Sequence, residues 1–361
     1  MTARDPQNPR IGTARGRGAR TNRAGRYERF AEEVIDDGWP GDGEALPPLR
    51  TVVTEEAPRS ALNYNSSPDL PFDRSVNPYR GCEHGCIYCY ARPGHAWLGM
   101  SPGLDFETRL IARPTMPSVL AKELGRRSYN PATIAIGTYT DPYQPIERER
   151  KIMRGILEVL AAHRHPVAIV TKGTLIERDI DILSSMAAQN LVRVGVSVTT
   201  LDRDIARRME PRVPPPARRL QVIRRLTDAG IPVRVMASPL VPGLTDHELE
   251  AILTAGKENG ATAASWIMLR LPQEVSPLVQ EWLAEHFPNR AAGVMARLRE
   301  MHGGKDYDAA WGRRMRGEGQ YAEMVAHRFA LSVRRLGLLT DLSPLRADLF
   351  QPPGGRQLEL F

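Results

Sequence analysis

Cysteine is almost absent from this chain: there are three in 361 residues, all within positions 82–89. Three cannot close a disulfide framework without leaving a thiol over, which excludes a disulfide-stapled fold. Sparse cysteine also agrees with a reducing compartment. Long apolar runs are missing too. None approaches the roughly 18 residues that a bilayer span needs, and the N-terminus has no apolar region of the signal-peptide kind. The expectation is a cytoplasmic chain with no membrane contact. Its 42% of hydrophobic residues is ordinary for a globular protein. The length allows one large domain of up to about 250–300 residues plus extensions.

The net charge of +7 is unevenly placed. Residues 1–26 carry Arg4, Arg10, Arg15, Arg17, Arg20, Arg23 and Arg26 against Asp5 alone, and the remainder is close to neutral. Residues 1–45 therefore read as a disordered Arg/Gly-rich arm, too polar to bury a core, with a short helix near Tyr27–Ile35. Such arms bind nucleic acid through phosphate contacts or remain as solvated tails.

What the chain does with its cysteines is the main signal. They fall in the run Arg80-Gly-Cys82-Glu-His-Gly-Cys86-Ile-Tyr88-Cys89-Tyr90, a C-x3-C-x2-C spacing with an aromatic residue before the third. Thiolates are soft ligands suited to zinc or iron–sulfur clusters. Structural zinc takes four ligands, so three cysteines suggest an incomplete shell with one position left for a non-protein ligand. A zinc knuckle completed by His84 or His95 is the alternative.

From Val76 onward, strand and helix signals alternate. Short β-rich runs occur at Thr133–Gly137, Val167–Thr171, Val192–Val198, Val233–Pro239 and Ala263–Leu269. Helical spacing separates them at Ile146–His163, Ile176–Gln189, Arg218–Ala229 and Thr245–Asn259. Together with a strand leading into Cys82 this gives six strands in βαβ units, hence a parallel sheet. Polar residues recur at the carboxyl ends of these strands, where such folds place ligands.

The cysteine run resembles the signature of radical S-adenosylmethionine (SAM) enzymes. Asn77-Pro-Tyr-Arg-Gly-Cys-Glu-His-Gly-Cys-Ile-Tyr-Cys-Tyr-Ala-Arg92, Ser101–Thr108, Thr140-Asp141-Pro-Tyr143-Gln-Pro-Ile-Glu147, Lys172, Ser197 and Glu210-Pro211-Arg212 are similar to a subgroup of the spore photoproduct lyase-like ("DNA repair photolyase") branch. The resemblance covers roughly residues 60–345. It implies an α/β partial (β/α)6 TIM-type barrel, a [4Fe–4S] cluster on Cys82, Cys86 and Cys89, and SAM on the fourth iron. Reduction would cleave SAM to methionine and a 5′-deoxyadenosyl radical, with an electron donor such as flavodoxin or ferredoxin. Tyr88 would pack near the adenine. Residues 137–141, Thr140 and Asp141 among them, would approach the methionyl amino group. Lys172 would meet the SAM carboxylate and Ser197 the ribose or carboxylate; the alternatives are a solvated turn lysine and a strand-end cap. Spore photoproduct lyases use a cysteine outside the cluster as hydrogen-atom donor, and this chain has none. Either a tyrosine serves, Tyr90 or Tyr139, or the reaction differs.

The parts flanking the barrel (76–270) are a wrapping segment (46–75), a helical C-terminal extension (271–350) and a flexible tail (351–361). Within the extension, Trp311, Arg313, Arg314, Arg316 and Tyr321 interleave aromatics with guanidinium groups, either as a stacking surface or as an amphipathic cap. The tail ends in Gln357-Leu358-Glu-Leu360-Phe361, which resembles a peptide that binds the DNA sliding clamp; a tail docked on its own body is the alternative. The function these features suggest is a lyase-like radical SAM enzyme acting on nucleic acid, in DNA lesion repair or modification. RNA or protein as substrate is the second reading. A non-catalytic Cys-metal nucleic-acid-binding protein is the third.

Overall fold

The computed structural model describes residues 16–28 and 49–352. Six parallel strands form the main sheet: β1 (Arg74–Val76), β2 (Ile134–Ile136), β3 (Val167–Thr171), β4 (Val192–Ser197), β5 (Val233–Leu240) and β6 (Ala263–Met268). They lie side by side in chain order, and an antiparallel strand, Leu62–Tyr64, ends the sheet beside β1. Val and Ile dominate them because both faces are covered; Val167 pairs with Val192 and Ile169 with Val194 in register. The covering helices are α1 (Met116–Leu124), α2 (Ile152–Ala162), α3 (Ile180–Ala187), α4 (Pro216–Asp228), α5 (Leu249–Glu258) and α6 (Val275–His286). On α2, Ile152, Ile156, Leu157 and Leu160 are buried, the stripe that helical spacing anticipates. This is the partial (β/α)6 barrel expected, with β1 starting inside the segment read as wrapping. The extension adds α7 (Pro288–Met301) and α8 (Gln320–Leu336).

Two local departures have physical causes. The helix expected over Ile146–His163 is broken at Lys151, whose φ is 51°. The break lets the Glu147 carboxylate cap the second piece by accepting from the Met153 amide at 3.1 Å. In the extension, residues 302–319 are not helical. There Arg314 makes a two-pronged contact with Asp69, at 2.8 and 2.6 Å. Asp69 sits in the 65–73 loop before β1, whereas Met315 is bonded to β6 through Met268. The pair therefore ties together the two edges of the open sheet. Trp311 stays 61% exposed, while Tyr321 bonds to Asp246.

The disordered-arm expectation fails for residues 16–28. Arg17 is only 7% exposed and Ala19 is fully buried, because backbone amides and guanidinium groups of this segment find acceptors on the body. Arg20, Arg23 and Arg26 pair with Glu285, Glu281 and Glu274, so these charges face α6 and its N-cap residue. The helix expected at Tyr27–Ile35 does not include Tyr27 or Glu28; its remainder, like Arg4, Arg10 and Arg15, lies outside the described residues. So do Gln357, Leu358, Leu360 and Phe361.

At the amino ends of the strands the C-terminal segment runs across the barrel floor. Leu339 bridges to Ala263 at the start of β6, the Arg346 amide bonds to Asn190 before β4, and the Gln351 amide bonds to His163 before β3. Phe350 packs on Tyr129 and edge-on to His165. His165 is fully buried, held between the Tyr129 hydroxyl at 2.6 Å and the Pro166 carbonyl at 3.0 Å. Burial, with the Arg74 and His163 charges adding to it, pushes its pKa down to about 4. Between the ordinary value of about 6.5 and that value, only the unfolded chain takes up the proton. Stability should therefore fall by up to about 3 kcal/mol from pH 7 to pH 4 on account of this group. Urea unfolding of the parent and His165→Asn across this range tests it; an equal pH slope in both would refute the assignment.

Candidate active site

The cysteine loop has almost no regular structure of its own. It leaves the short strand Tyr79–Arg80, which pairs with Arg109–Ala112 in a small second sheet. Cys82 and Cys86 are buried and Cys89 is half-buried. Burial raises all three thiols, and Cys86 and Cys89 raise Cys82 further through their own charge. Lys172, at the carboxyl end of β3, opposes this at Cys86 and Cys89.

Three carboxylates, Glu107 and Glu210 buried and Asp141 nearly so, fix the loop at successive points. Asp141 accepts from Thr171 Oγ1 at 2.7 Å, the Lys172 amide at 2.7 Å and the Tyr143 amide at 2.9 Å, and lies 3.4 Å from His84. Burial alone would raise its carboxyl, but His84 and these donors hold it down at about 2. Glu107 accepts from Arg92 at 2.6 Å, and Arg92 in turn donates to the Cys86 carbonyl at 2.9 and 3.1 Å. Gly85 turns the chain here with φ at +65°, and a Cβ on it would sit 2.6 Å from the Glu107 carboxylate. Glu210 accepts the Tyr88 hydroxyl and, at 2.5 Å, Arg219. Burial would raise Glu210, but Arg219 and Lys172 hold it below the ordinary carboxylate range.

These contacts sort the expected site residues. Cys82, Cys86, Cys89, Tyr88 and Lys172 converge: the Lys172 amine lies 5.8 Å from the centre of the Tyr88 ring. Tyr90 and Tyr139 stand beside them, both within electrostatic reach of Cys89. The other three have protein partners. Asp141 is spent on the loop and the end of β3. Thr140 Oγ1 donates to the Tyr79 carbonyl at 3.0 Å, and Ser197 Oγ to the Ser238 carbonyl at 2.7 Å. Sequence reading gave Asn77, Thr199 and Ser238 no individual role, though Thr199 and Ser238 are among its strand-end polar residues. At the ends of β1, β4 and β5, their buried side-chain oxygens have no hydrogen-bond partner among the described residues. Strand-end position was the available signal.

The donor set tests which group fits. His84 Nδ1 lies 3.4 Å from Asp141 without forming a hydrogen bond, and His95 Nε2 lies 3.0 Å from the Arg109 carbonyl. Among the described residues no three His, Cys, Asp or Glu side chains are placed to hold one metal ion. Three thiols that each take a separate iron of a cluster need no such convergence. Unpartnered buried oxygens at the ends of β1, β4 and β5 suit a polar cofactor, which would supply the missing partners.

Comparison with known proteins agrees. The radical SAM superfamily model matches residues 76–255. An uncharacterised protein of Mycobacterium tuberculosis (strain ATCC 25618 / H37Rv) is 35% identical over 335 residues, covering 88% of this chain and 95% of that protein. The chain belongs to the radical SAM superfamily. The cofactors of that superfamily are a [4Fe–4S] cluster and SAM. An uncharacterised protein of Methanocaldococcus jannaschii is 26% identical over 173 residues, 48% of this chain and 62% of that protein. Among solved structures, spore photoproduct lyase shares the fold with a TM-score of 0.56 at 14% identity, over 79% of this chain and 80% of that one. A variant of that lyase, solved with bound AdoMet and dinucleoside spore photoproduct, gives the same TM-score at 13% identity.

The Tyr88–Glu210–Arg219 chain carries a stability prediction. Glu210→Gln leaves the Arg219 guanidinium buried without its counter-charge and should cost about 3–5 kcal/mol. Tyr88→Phe removes one hydrogen bond and should cost about 1–3 kcal/mol. Urea denaturation measures both; equal costs would show that the Arg219 charge is solvated some other way.

Proposed function

We propose that this chain is a radical SAM enzyme acting on nucleic acid, a DNA lesion or a base to be modified, with Cys82, Cys86 and Cys89 as cluster ligands. When bound, the cluster and SAM supply reductive cleavage to methionine and a 5′-deoxyadenosyl radical, using an electron from a donor such as flavodoxin or ferredoxin. The residues supply position. Lys172 offers a cation to the SAM carboxylate, the Tyr88 ring lies alongside, and Asn77, Thr199 and Ser238 offer oxygens to its hydroxyl and ammonium groups. With the Asp141 and Ser197 side chains engaged by the protein, Lys172 is the charged group left to orient this ligand.

The observation that carries the substrate reading is the rim beside Cys89. Tyr90 and Tyr139 are 42% and 36% exposed there. The Arg270 guanidinium, at the end of β6, stacks 4.3 Å over the Tyr90 ring. A guanidinium over a ring keeps most of its N–H groups for a phosphate, with one beside the Tyr90 hydroxyl. Among the described residues no carboxylate pairs with Arg270. Arg80 and Arg113 share the single Glu56, and Arg314 is paired with Asp69. An aromatic and guanidinium rim with surplus positive charge fits bases and phosphates. The dinucleoside lesion bound by the structurally similar lyase points the same way. The Tyr90 hydroxyl bonds to the Thr138 carbonyl, which leaves Tyr139 as the freer candidate for returning a hydrogen atom.

Two measurements test this. Anaerobic reconstitution with iron and sulfide, then dithionite and SAM, should give 5′-deoxyadenosine from the parent and none from the Cys82→Ala, Cys86→Ala, Cys89→Ala variant. Uptake of zinc and no cluster would overturn the enzyme reading. Arg270→Ala should weaken duplex DNA binding and reduce the slope of log affinity against log salt by about 0.9, with SAM cleavage unchanged. An unaltered slope would remove the phosphate contact and favour protein as substrate.

A further inference from the structure

The arm segment that composition assigns to solvent forms one wall of the cysteine loop. The Gly18 and Ala19 amides donate to the Glu107 carboxylate at 2.9 and 2.8 Å. Arg17 reaches past them to the Glu107 carbonyl at 2.8 Å and to Leu49 and Thr51, each at 3.0 Å. The same carboxylate holds Arg92, which holds the Cys86 carbonyl. Gly18 also lies directly on the loop: a Cβ there would come within 1.8 Å of the Gly85 carbonyl oxygen. Further along, Arg20 and Arg26 fasten the segment to Glu285 and Glu274 at 2.9 and 2.6 Å.

We propose that residues 17–26 are a docked strap that positions the cluster-bearing loop and shields it from solvent, with Gly18 and Glu107 as positioning residues. This rests on the cluster reading above. The contact is two-sided. Undocking removes two of the three donors of a fully buried carboxylate, which slackens its grip on Arg92 and so on Cys86. It also uncovers Gly85, between two of the cysteines. The fastening pairs are part-exposed and therefore weakened by salt, so the shield loosens as ionic strength rises.

The test uses the full-length chain reconstituted anaerobically, with thermal melting as the control for folding. Two variants are compared with the parent: Gly18→Ala, and Arg20→Ala with Arg26→Ala. The readouts are the electron paramagnetic resonance spectrum of the dithionite-reduced cluster and the rate of iron loss to bipyridyl at low and high salt. Gly18→Ala should alter the spectrum and speed iron loss by about 10-fold or more, the scale on which supporting contacts around a metal act. The double variant should lose iron faster than the parent at low salt and match it at high salt, which decides the matter should Gly18→Ala fail to fold. Parent-like spectra and rates in both variants would overturn the strap while leaving the cluster reading intact. A parent chain that takes up no cluster would bring down both.

Discussion

A pair of charges with no exposure to water holds the cysteine loop in place: Arg92 and Glu107, 2.6 Å apart. Burying either alone would cost several kcal/mol, and even together the pair is favourable only if every remaining donor and acceptor is used. Here they are. Arg92 donates to the carbonyls of Cys86, Pro102 and Gly103 as well as to Glu107. Glu107 accepts from two strap amides. The pair thus joins the strap, the cysteine loop and the 101–108 segment, none of which has enough regular structure to hold itself.

The same device recurs twice around the loop. Asp141 secures His84, Glu107 secures Gly85 and Cys86 through Arg92, and Glu210 secures Tyr88. All three acids, Asp141 of the expected site among them, are consumed in holding the backbone. What remains facing the site is cationic or neutral and polar: Lys172, Arg270, Asn77, Thr199 and Ser238. That remainder suits a ligand carrying carboxylate and hydroxyl groups and a substrate carrying phosphate, and it offers little to a cation apart from the thiolates.

This division explains what was legible in the sequence. The strands were, because a strand covered on both faces leaves a mainly apolar run, as in Val-Ala-Ile-Val-Thr at Val167–Thr171. The three cysteines stood out too, because their spacing is local. Asp141 was not. Its neighbours in sequence mark it as a strand-end polar residue, and its role depends on Thr171 and Lys172, thirty residues on, and on His84, far upstream. The break at Lys151 was hidden too, since Lys151 carries no turn signal of its own and the Glu147 side chain caps the helix that restarts there through the Met153 amide. The strap was misread because it is buried through backbone amides and guanidinium groups, and such burial leaves no apolar signature in the composition.

Charge needs the same correction. Total charge pointed to the arm as the nucleic-acid contact, yet Arg17, Arg20, Arg23 and Arg26 are all engaged by acceptors on the body. Pairing matters more than count here. A guanidinium facing a carboxylate must exchange one anion for another to bind phosphate, and in water that exchange gains little. One stacked on an aromatic ring with no counter-charge gives up only water. Arg270 alone, beside the cysteines and already oriented by Tyr90, therefore offers more to a phosphate than the described part of the arm does.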